Sequence, residues 1–398
     1  MMKSLLLLSL ILTFARAATF YKSSETPSLS RYAHAIQINS TSNRTDCSTD
    51  LTGPLREAFK YNKSVELQLS KGCFVMSSNE LATFSGWTDF AIVGKGKDVS
   101  VVTCSDRVGF TFLLSVGITF RDVQIKGCGR IQTSTSKNFT TASQNSDDLP
   151  YLEFWVGMYF LSCGNITMDH VEVRESEGVG VVVYNCNGTN TFNSTNFVVN
   201  YVLEEDRLGW GGVAVEFSFC QPGDPNCKSR VVSSFQVTQS SYMFYNCCFR
   251  ANGDQSQEPT GTILPYPHGT EHVAFGKGGG LSVIFKGRSS GNSITIDSCI
   301  FKDNSALWGG GLYTSFGDQS IDNRVTVTGS KFIQNVNHCS GTSSKWTQSG
   351  GGAQIDFIYY PTDDDLWTGY QPNVLRNSVR FYDTGLPPTW LVGVEQCP

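Results

Sequence analysis

Beyond residue 190 the chain repeats one short signature, F-x-x-N, at Phe197–Asn200, Phe249–Asn252, Phe301–Asn304 and Phe332–Asn335. Each copy precedes a glycine element: "WGGVAVEF" from Trp210, "KGGGLSVIF" from Lys277, "WGGGLYTSF" from Trp308 and "SGGGAQIDF" from Ser349. The phenylalanines lie 52, 52 and 31 residues apart. A constant signature at uneven spacing fits a fixed core unit carrying loops of different length. The rival reading, glycine as a flexible linker, leaves the upstream Phe and Asn unexplained.

Between these elements sit short β-branched runs with period-2 alternation. "NSITIDSCIF" sets Ile294, Ile296 and Ser298 on one side and Thr295, Asp297 and Cys299 on the other; "NRVTVTGSKF" alternates Val325 and Val327 with Thr326 and Thr328. "VGITFRDVQIKGC", "CGNITMDHVEV" and "VGVVVYNC" are looser copies. Helical periodicity nearly vanishes after residue 90.

The architecture that accommodates this pattern is all-β, a right-handed parallel β-helix (a single-stranded solenoid). Each turn supplies two or three strands, and turns stack about 4.8 Å apart. The F-x-x-N ring enters the core near a corner. Its Asn is expected in left-handed geometry within the turn and in a ladder with the Asn above and below. The glycines relieve crowding where the next strand begins, or supply a bulge. Only 16% of residues are charged, as suits a stack in which like charges would lie over like charges. A two-sheet sandwich wants longer strands and hairpin turns, which are sparse here.

The N-terminal region reads differently. "MMKSLLLLSLILTFARAATF" has a basic start, an apolar run and Ala15-Arg16-Ala17 before a cleavage point, so residues 1–17 read as a secretory signal peptide. Its loss removes Lys3 and Arg16 and shifts the formal charge from -5 to about -7. Residues 18–44 form an N-terminal extension. Residues 45–90 hold a capping helix, with Thr49 or Asp50 as N-cap and Leu51, Leu55, Ala58 and Phe59 at helical spacing, then a first rung in "SVELQLSKGCFVM". The β-helix spans 91–385. The tail, 386–398, ends beside Cys397 with no cap in view, the end expected of a truncated chain. No later stretch reaches the apolar length of a transmembrane segment.

Thirteen cysteines in an exported chain imply several disulfides, and the odd number leaves one thiol over. Cys220 and Cys227 bracket a turn-rich loop and are the best local pair. Adjacent Cys247 and Cys248 would point to opposite faces of a strand. Sequons at Asn39, Asn43, Asn62, Asn138, Asn165, Asn187 and Asn193 mark possible glycosylation.

The F-x-x-N and GG-containing elements resemble the repeats of chlamydial polymorphic outer-membrane proteins, which pair F-x-x-N with G-G-A and then Ile, Leu or Val. Gly351-Gly352-Ala353 matches but is followed by Gln354, whereas Gly310-Gly311-Leu312 and Gly279-Gly280-Leu281 depart. More broadly, the order of capping helix, "VELQLSKGCFVM" and "FAIVGKGKDVSVVTC" resembles the start of secreted pectin-lyase-like β-helices. The resemblance spans roughly residues 45 to 385 and implies a fold, not an activity.

That fold hosts polysaccharide lyases and glycosidases, whose chemistry needs clustered acids. Asp147-Asp148, Glu204-Glu205-Asp206-Arg207 and Asp363-Asp364-Asp365 are contiguous runs of the kind found in solvated loops. The hydrolase groups N-T-D, G-H-G and R-I-K are missing, and the Arg or Lys base of the lyases has no linear signature. His268 and His272 flank Glu271 at zinc spacing, but Pro267 and Gly269 argue for a loop. Ser289 in "GRSSG" occupies a nucleophile's place, yet a strand follows where the elbow needs a helix. "GKGKD" from Gly94 and "GKGGG" from Gly276 lack phosphate-loop spacing. Trp210, Trp308, Trp346 and Trp367 suit flank packing, with sugar stacking as the alternative.

No residue is therefore assigned as catalytic, cofactor-binding or metal-binding, and no cofactor is implied. The acidic balance argues against nucleic acid. The expectation is a secreted or extracellular rod for recognition, adhesion or structural display without catalysis, meeting extracellular glycans or proteins. The alternative is a carbohydrate-active enzyme, lyase or hydrolase, of the pectin-lyase-like fold.

Overall fold

The computed structural model describes residues 32–40, 47–61, 63–76, 83–104, 109–129, 156–176, 178–202, 211–219, 239–254, 278–287, 289–306, 309–317, 320–337, 353–358 and 378–382. Through them the chain visits three sheets in rotation. The first has ten strands, from His34–Ile38 to Ser378–Tyr382; the second nine, from Thr49–Asp50 to Lys331–Ile333; the third eight, from Thr83–Ser85 to Ala353–Ile358. In the later coils a fourth small sheet, Tyr201–Val202, Gly253–Asp254, Ser305–Ala306 and Val336–Asn337, joins the second to the third. Every pairing is parallel and links one coil to the next, as in Ile294↔Val325 and Phe301↔Phe332. The chain is a right-handed parallel β-helix, with the hand that about 98% of parallel strand connections adopt.

In the first coil a helix, Thr52–Tyr61, stands where a strand of the third sheet would be. Asp50 Oδ1 accepts from the Thr52 N–H at 2.9 Å and from its hydroxyl at 2.6 Å, which satisfies an amide at the helix start. Pro54 falls in the first turn, where its missing N–H costs nothing. Leu55 and Ala58 are buried, and Phe59 packs on Phe84 and edge-on to Trp87. This helix caps the apolar end of the stack. His34–Ile38, within the stretch expected to be an N-terminal extension, is a strand that pairs with Lys63–Leu69 at the edge of the first sheet.

From Asp122 onward, each described corner on either side of the second sheet is made by one residue in left-handed backbone. Between the first and second sheets it is Asp122, His170, Ser194, Asn246, Ser298 or Gly329, with φ between 48° and 57°. After the second sheet it is Gly127, Glu175, Val199, Ala251, Asp303 or Gln334, with φ between 52° and 63°. The expectation that the F-x-x-N asparagine itself takes this conformation is thus corrected: the residue before it does. The reversal at that residue turns the asparagine inward, and Asn200, Asn252 and Asn304 are buried. The same reversal breaks simple alternation. Ser298 sits at a corner, so Cys299 points into the core with Ile294 and Ile296 instead of outward with Thr295.

The inward asparagines form a continuous ladder. Asn200 Nδ2 donates to Asn252 Oδ1 at 3.0 Å, Asn252 to Asn304 at 3.1 Å and Asn304 to Asn335 at 2.8 Å. Each Oδ1 also accepts the backbone N–H of the preceding asparagine, at 3.1 Å in all three steps. Beside it the rings of Phe197, Phe249, Phe301 and Phe332 stack at centroid separations of 5.0, 4.6 and 4.6 Å. The glycine elements make room for both ladders. A Cβ on Gly280 would lie 2.5 Å from the Gly311 carbonyl oxygen and 2.9 Å from the Phe301 ring.

Cys47–Cys73 and Cys104–Cys128 are disulfide-bonded, each joining adjacent coils; Cys220 and Cys227 lie outside the described residues. Cys247 is buried and Cys248 half-buried, on opposite faces as their adjacency implied. Among the described residues no helix is long and apolar enough to cross a membrane.

Candidate functional site

A β-helix offers three outer faces, and side chains meet on them through register, not through sequence proximity. On the third sheet, Phe112, Phe160, Val183, Val215, Val283 and Thr314 form one inward column. The outward neighbours Tyr159, Val182, Ala214 and Tyr313, with Leu161, Tyr184 and Ile284, are at most 7% exposed. Glu216 stands among them, 3% exposed. Burial pushes the Tyr159 phenol well above its ordinary pKa, with Tyr184 adding to the effect. Thr111, Ser282 and Ser315 interrupt this otherwise apolar buried layer, and Glu216 is its buried acid among the described residues.

The first sheet is wetter. Thr119, Thr167, Thr191, Met243, Thr295 and Thr326 form a single outward column, one per coil. Alongside, Asp169 accepts from Asn193 Nδ2 at 2.6 Å and pairs with His170 Nδ1 at 2.9 Å. The Asp–His pair is thereby tied into the corner and the neighbouring coil.

The second sheet carries the charge. One outward column reads Thr103, Lys126, Arg174, Val198, Arg250, Lys302, Ile333, and the other Val101, Gln124, Glu172, Asn196, Cys248, Ile300, Lys331. Its upper half is an ion-pair network. Lys126 lies 3.2 Å from Glu175, and Arg174 bonds Glu175 at 2.8 Å and Glu172 at 3.3 Å. Gln124 donates to Glu172 at 2.8 Å. Its lower half holds Arg250, Lys302 and Lys331 with Asp303, 3.7 Å from Lys302. Burial raises the Cys248 thiol pKa, against the opposing pull of Arg250 and Lys97.

Few of the candidates read from sequence fall on these faces. Asp147-Asp148, Glu204–Arg207, Asp363–Asp365, His268, Glu271, His272, Trp210, Trp308, Trp346 and Trp367 lie outside the described residues. Ser289 is buried, its hydroxyl has no partner, and the strand Ser293–Asp297 follows it, so a turn between coils describes it. "GKGKD" is likewise a turn, with Gly96 O accepting from Val99 and Ser100 N–H at 2.9 Å. Among the described residues no group of three His, Cys, Asp or Glu side chains is placed to hold a metal ion. The basic column was missed in the sequence because its members come from separate coils and no linear spacing links them.

The class is defined by these coils and ladders: a parallel β-helix with asparagine and phenylalanine stacks. No family model and no curated protein matches the chain. Among solved structures the chain is similar to ORF18 of Geobacillus virus E2, at 10% identity and TM-score 0.33, over 82% of this chain and 61% of that one. It is also similar to the A-module of an Azotobacter vinelandii mannuronan C-5 epimerase, at 12% identity and TM-score 0.27, covering 84% and 93%. A third is a mannuronic acid specific polysaccharide family 6 lyase from human gut microbiota, at 9% identity and TM-score 0.19, covering 87% and 91%. At these scores the likenesses carry no argument about activity.

Proposed function

We propose that this chain is an exported, glycosylated recognition or display rod that works without catalysis. The observation that carries the reading is the Asn200–Asn252–Asn304–Asn335 ladder. It locks successive coils in register, so an outward column such as Thr191, Met243, Thr295 and Thr326 repeats at a fixed pitch of about 4.8 Å. A stiff periodic surface suits multivalent contact with extracellular glycans or proteins. The two inter-coil disulfides fit an oxidising compartment. Exposed sequon asparagines at Asn39, Asn165 and Asn187 fit glycosylation. The resemblance to the repeats of outer-membrane surface proteins points the same way.

The alternative is a lyase or hydrolase acting on extracellular polysaccharide. A panel of uronate and neutral polysaccharides, assayed both for retention of the protein and for release of product, separates the two. Retention without product is the expected result. Product release that disappears on replacing Glu172 or Glu216 with Gln would overturn the non-catalytic reading.

A further inference from the structure

We infer that the outer face of the second sheet, over the coils carrying Arg250, Lys302 and Lys331, is a docking strip for a linear polyanionic glycan bearing carboxylates or sulfates. The inference rests on the recognition reading above and names its site and ligand class.

Arg250 stands directly opposite Lys302 in the parallel ladder. Like charges directly opposite one another destabilise a sheet, and the chain's overall balance is acidic. Two coils of the same column face that problem earlier, where Lys126 is opposite Arg174. There Glu172 and Glu175 neutralise the stack through contacts of 2.8 to 3.3 Å. Lower down the compensation thins. Asp303 reaches Lys302 only at 3.7 Å, and no carboxylate of the described residues pairs with Arg250 or Lys331. Three cations are thus held on consecutive coils with one acid between them, an arrangement that an external anion relieves.

The geometry selects among polyanions. Inside a sheet the backbone N–H groups are consumed by the ladder, so the ligand is read by side chains alone. Basic clusters also take acidic peptides, but same-face side chains of an extended peptide lie roughly 7 Å apart, out of step with the coil pitch. Single-stranded nucleic acid would want aromatic platforms, and both outward columns of this face lack aromatic side chains. Ile300 and Ile333, 40% and 39% exposed, present apolar surface beside the cations, as the C–H faces of sugar rings require. Arg250 and Lys302 are one coil apart, about 4.8 Å, comparable to the step from sugar to sugar along an extended glycan, and Lys331 stands one coil further in the neighbouring column.

The test uses the full chain with heparin, polygalacturonate, polyglutamate and dextran as probes, at about 0.15 M salt and across a salt series. The expected result is binding to heparin or polygalacturonate, the stronger naming sulfate or carboxylate, and to neither of the other two. The variant Arg250→Gln/Lys302→Gln/Lys331→Gln weakens it by at least about tenfold and lowers the logarithmic salt slope by about two to three. A charge-matched control, Arg56→Gln/Lys71→Gln/Lys95→Gln at exposed sites elsewhere, leaves binding unchanged. Equal loss in the control, equal binding of polyglutamate, or binding untouched by the triple variant would each overturn the strip. If the triple variant does not fold, Arg250→Gln alone carries the test, with about threefold weakening expected from one lost contact. A neutral glycan or protein ligand indifferent to these variants would sink the strip and leave the recognition reading standing; no ligand of any kind would sink both.

Discussion

The ring of Phe301 lies flat against that of Phe332, centroids 4.6 Å apart and planes 2° from parallel, and it meets Phe249 on its other side at 4.6 Å and 1°. These rings belong to one continuous apolar core. Phe301→Ala therefore opens a void between two rings that backbone ladders hold in place. The expected cost is about 3–5 kcal/mol, measured as a lower urea midpoint. Phe301→Leu keeps most of the volume and is expected to cost less than half as much. Equal losses for both would mean that ring stacking, not filled volume, is what counts.

The asparagine ladder makes a sharper prediction because its polarity is fixed. Asn252 Oδ1 accepts from Asn200, while Asn252 Nδ2 donates to the Phe197 carbonyl at 2.8 Å and to Asn304 Oδ1. In Asn252→Asp the donor becomes an oxygen facing two acceptors. Burial and those acceptors raise the new carboxyl's pKa in the folded state above the unfolded value of about 3.9. A raised folded pKa gives stability that is present below the unfolded value and lost as pH rises. The variant should thus be closer to wild type at about pH 4 than at pH 7, by chemical unfolding at both. A penalty independent of pH would show that the amide's donors are unimportant.

Much of this scaffold was legible in sequence, because Phe and Asn recur with a fixed local spacing and each performs the same task in the four coils that carry them. The corners were less so. Val199 and Ala251 occupy left-handed backbone, which neither residue type advertises, and the phase reversal they and Ser298 cause put Cys299 on the unexpected side. The cationic strip was not legible at all. Arg250 and Lys302 become neighbours only when whole coils stack, and the loops between those coils vary in length.

Gly280→Ala probes the reason for the glycine elements. The added methyl meets the Gly311 carbonyl oxygen at 2.5 Å and the Phe301 ring at 2.9 Å. Its backbone N–H also bonds the Gly310 oxygen at 3.0 Å, so the strand is not free to withdraw. A loss of about 1–3 kcal/mol is expected from overpacking. Gly53→Ala, where a Cβ meets nothing within 4 Å, is the control and is expected to be neutral or slightly stabilising through helix propensity.

Thr314 offers the opposite sign. It faces the core in the column of Val215 and Val283, is fully buried, and its hydroxyl has no hydrogen-bond partner. Thr314→Val replaces that hydroxyl with a methyl of similar shape. A gain of about 1–2 kcal/mol is expected, since an unsatisfied buried hydroxyl costs roughly that much. A destabilised variant would mean that the hydroxyl has a partner in solution.

The buried thiols and phenol set the alkaline limit. Burial raises the pKa of Cys186 and Cys247, reinforced by the adjoining thiols of Cys163 and Cys299. Burial likewise raises Tyr242, whose hydroxyl donates to the Cys186 carbonyl at 2.8 Å. For a group that ionises to an anion, a raised folded pKa means that the unfolded chain loses its proton first. The contribution to stability is full below the unfolded thiol value of about 8.5 and falls as pH rises beyond it. Urea unfolding should therefore give similar stability at about pH 7 and 8 and a steady decline above pH 9. Cys247→Ser tests the attribution without disturbing the fold. Thr195, Cys247, Cys299 and Ser330 each bond the carbonyl two residues before them, so a hydroxyl already serves at this corner. The variant should fold at pH 7 and lose part of the alkaline decline. Alkylation supplies the independent check: half-buried Cys248 should react in the native protein well before Cys186 and Cys247, and equal rates for all three would show the corner thiols to be open to solvent.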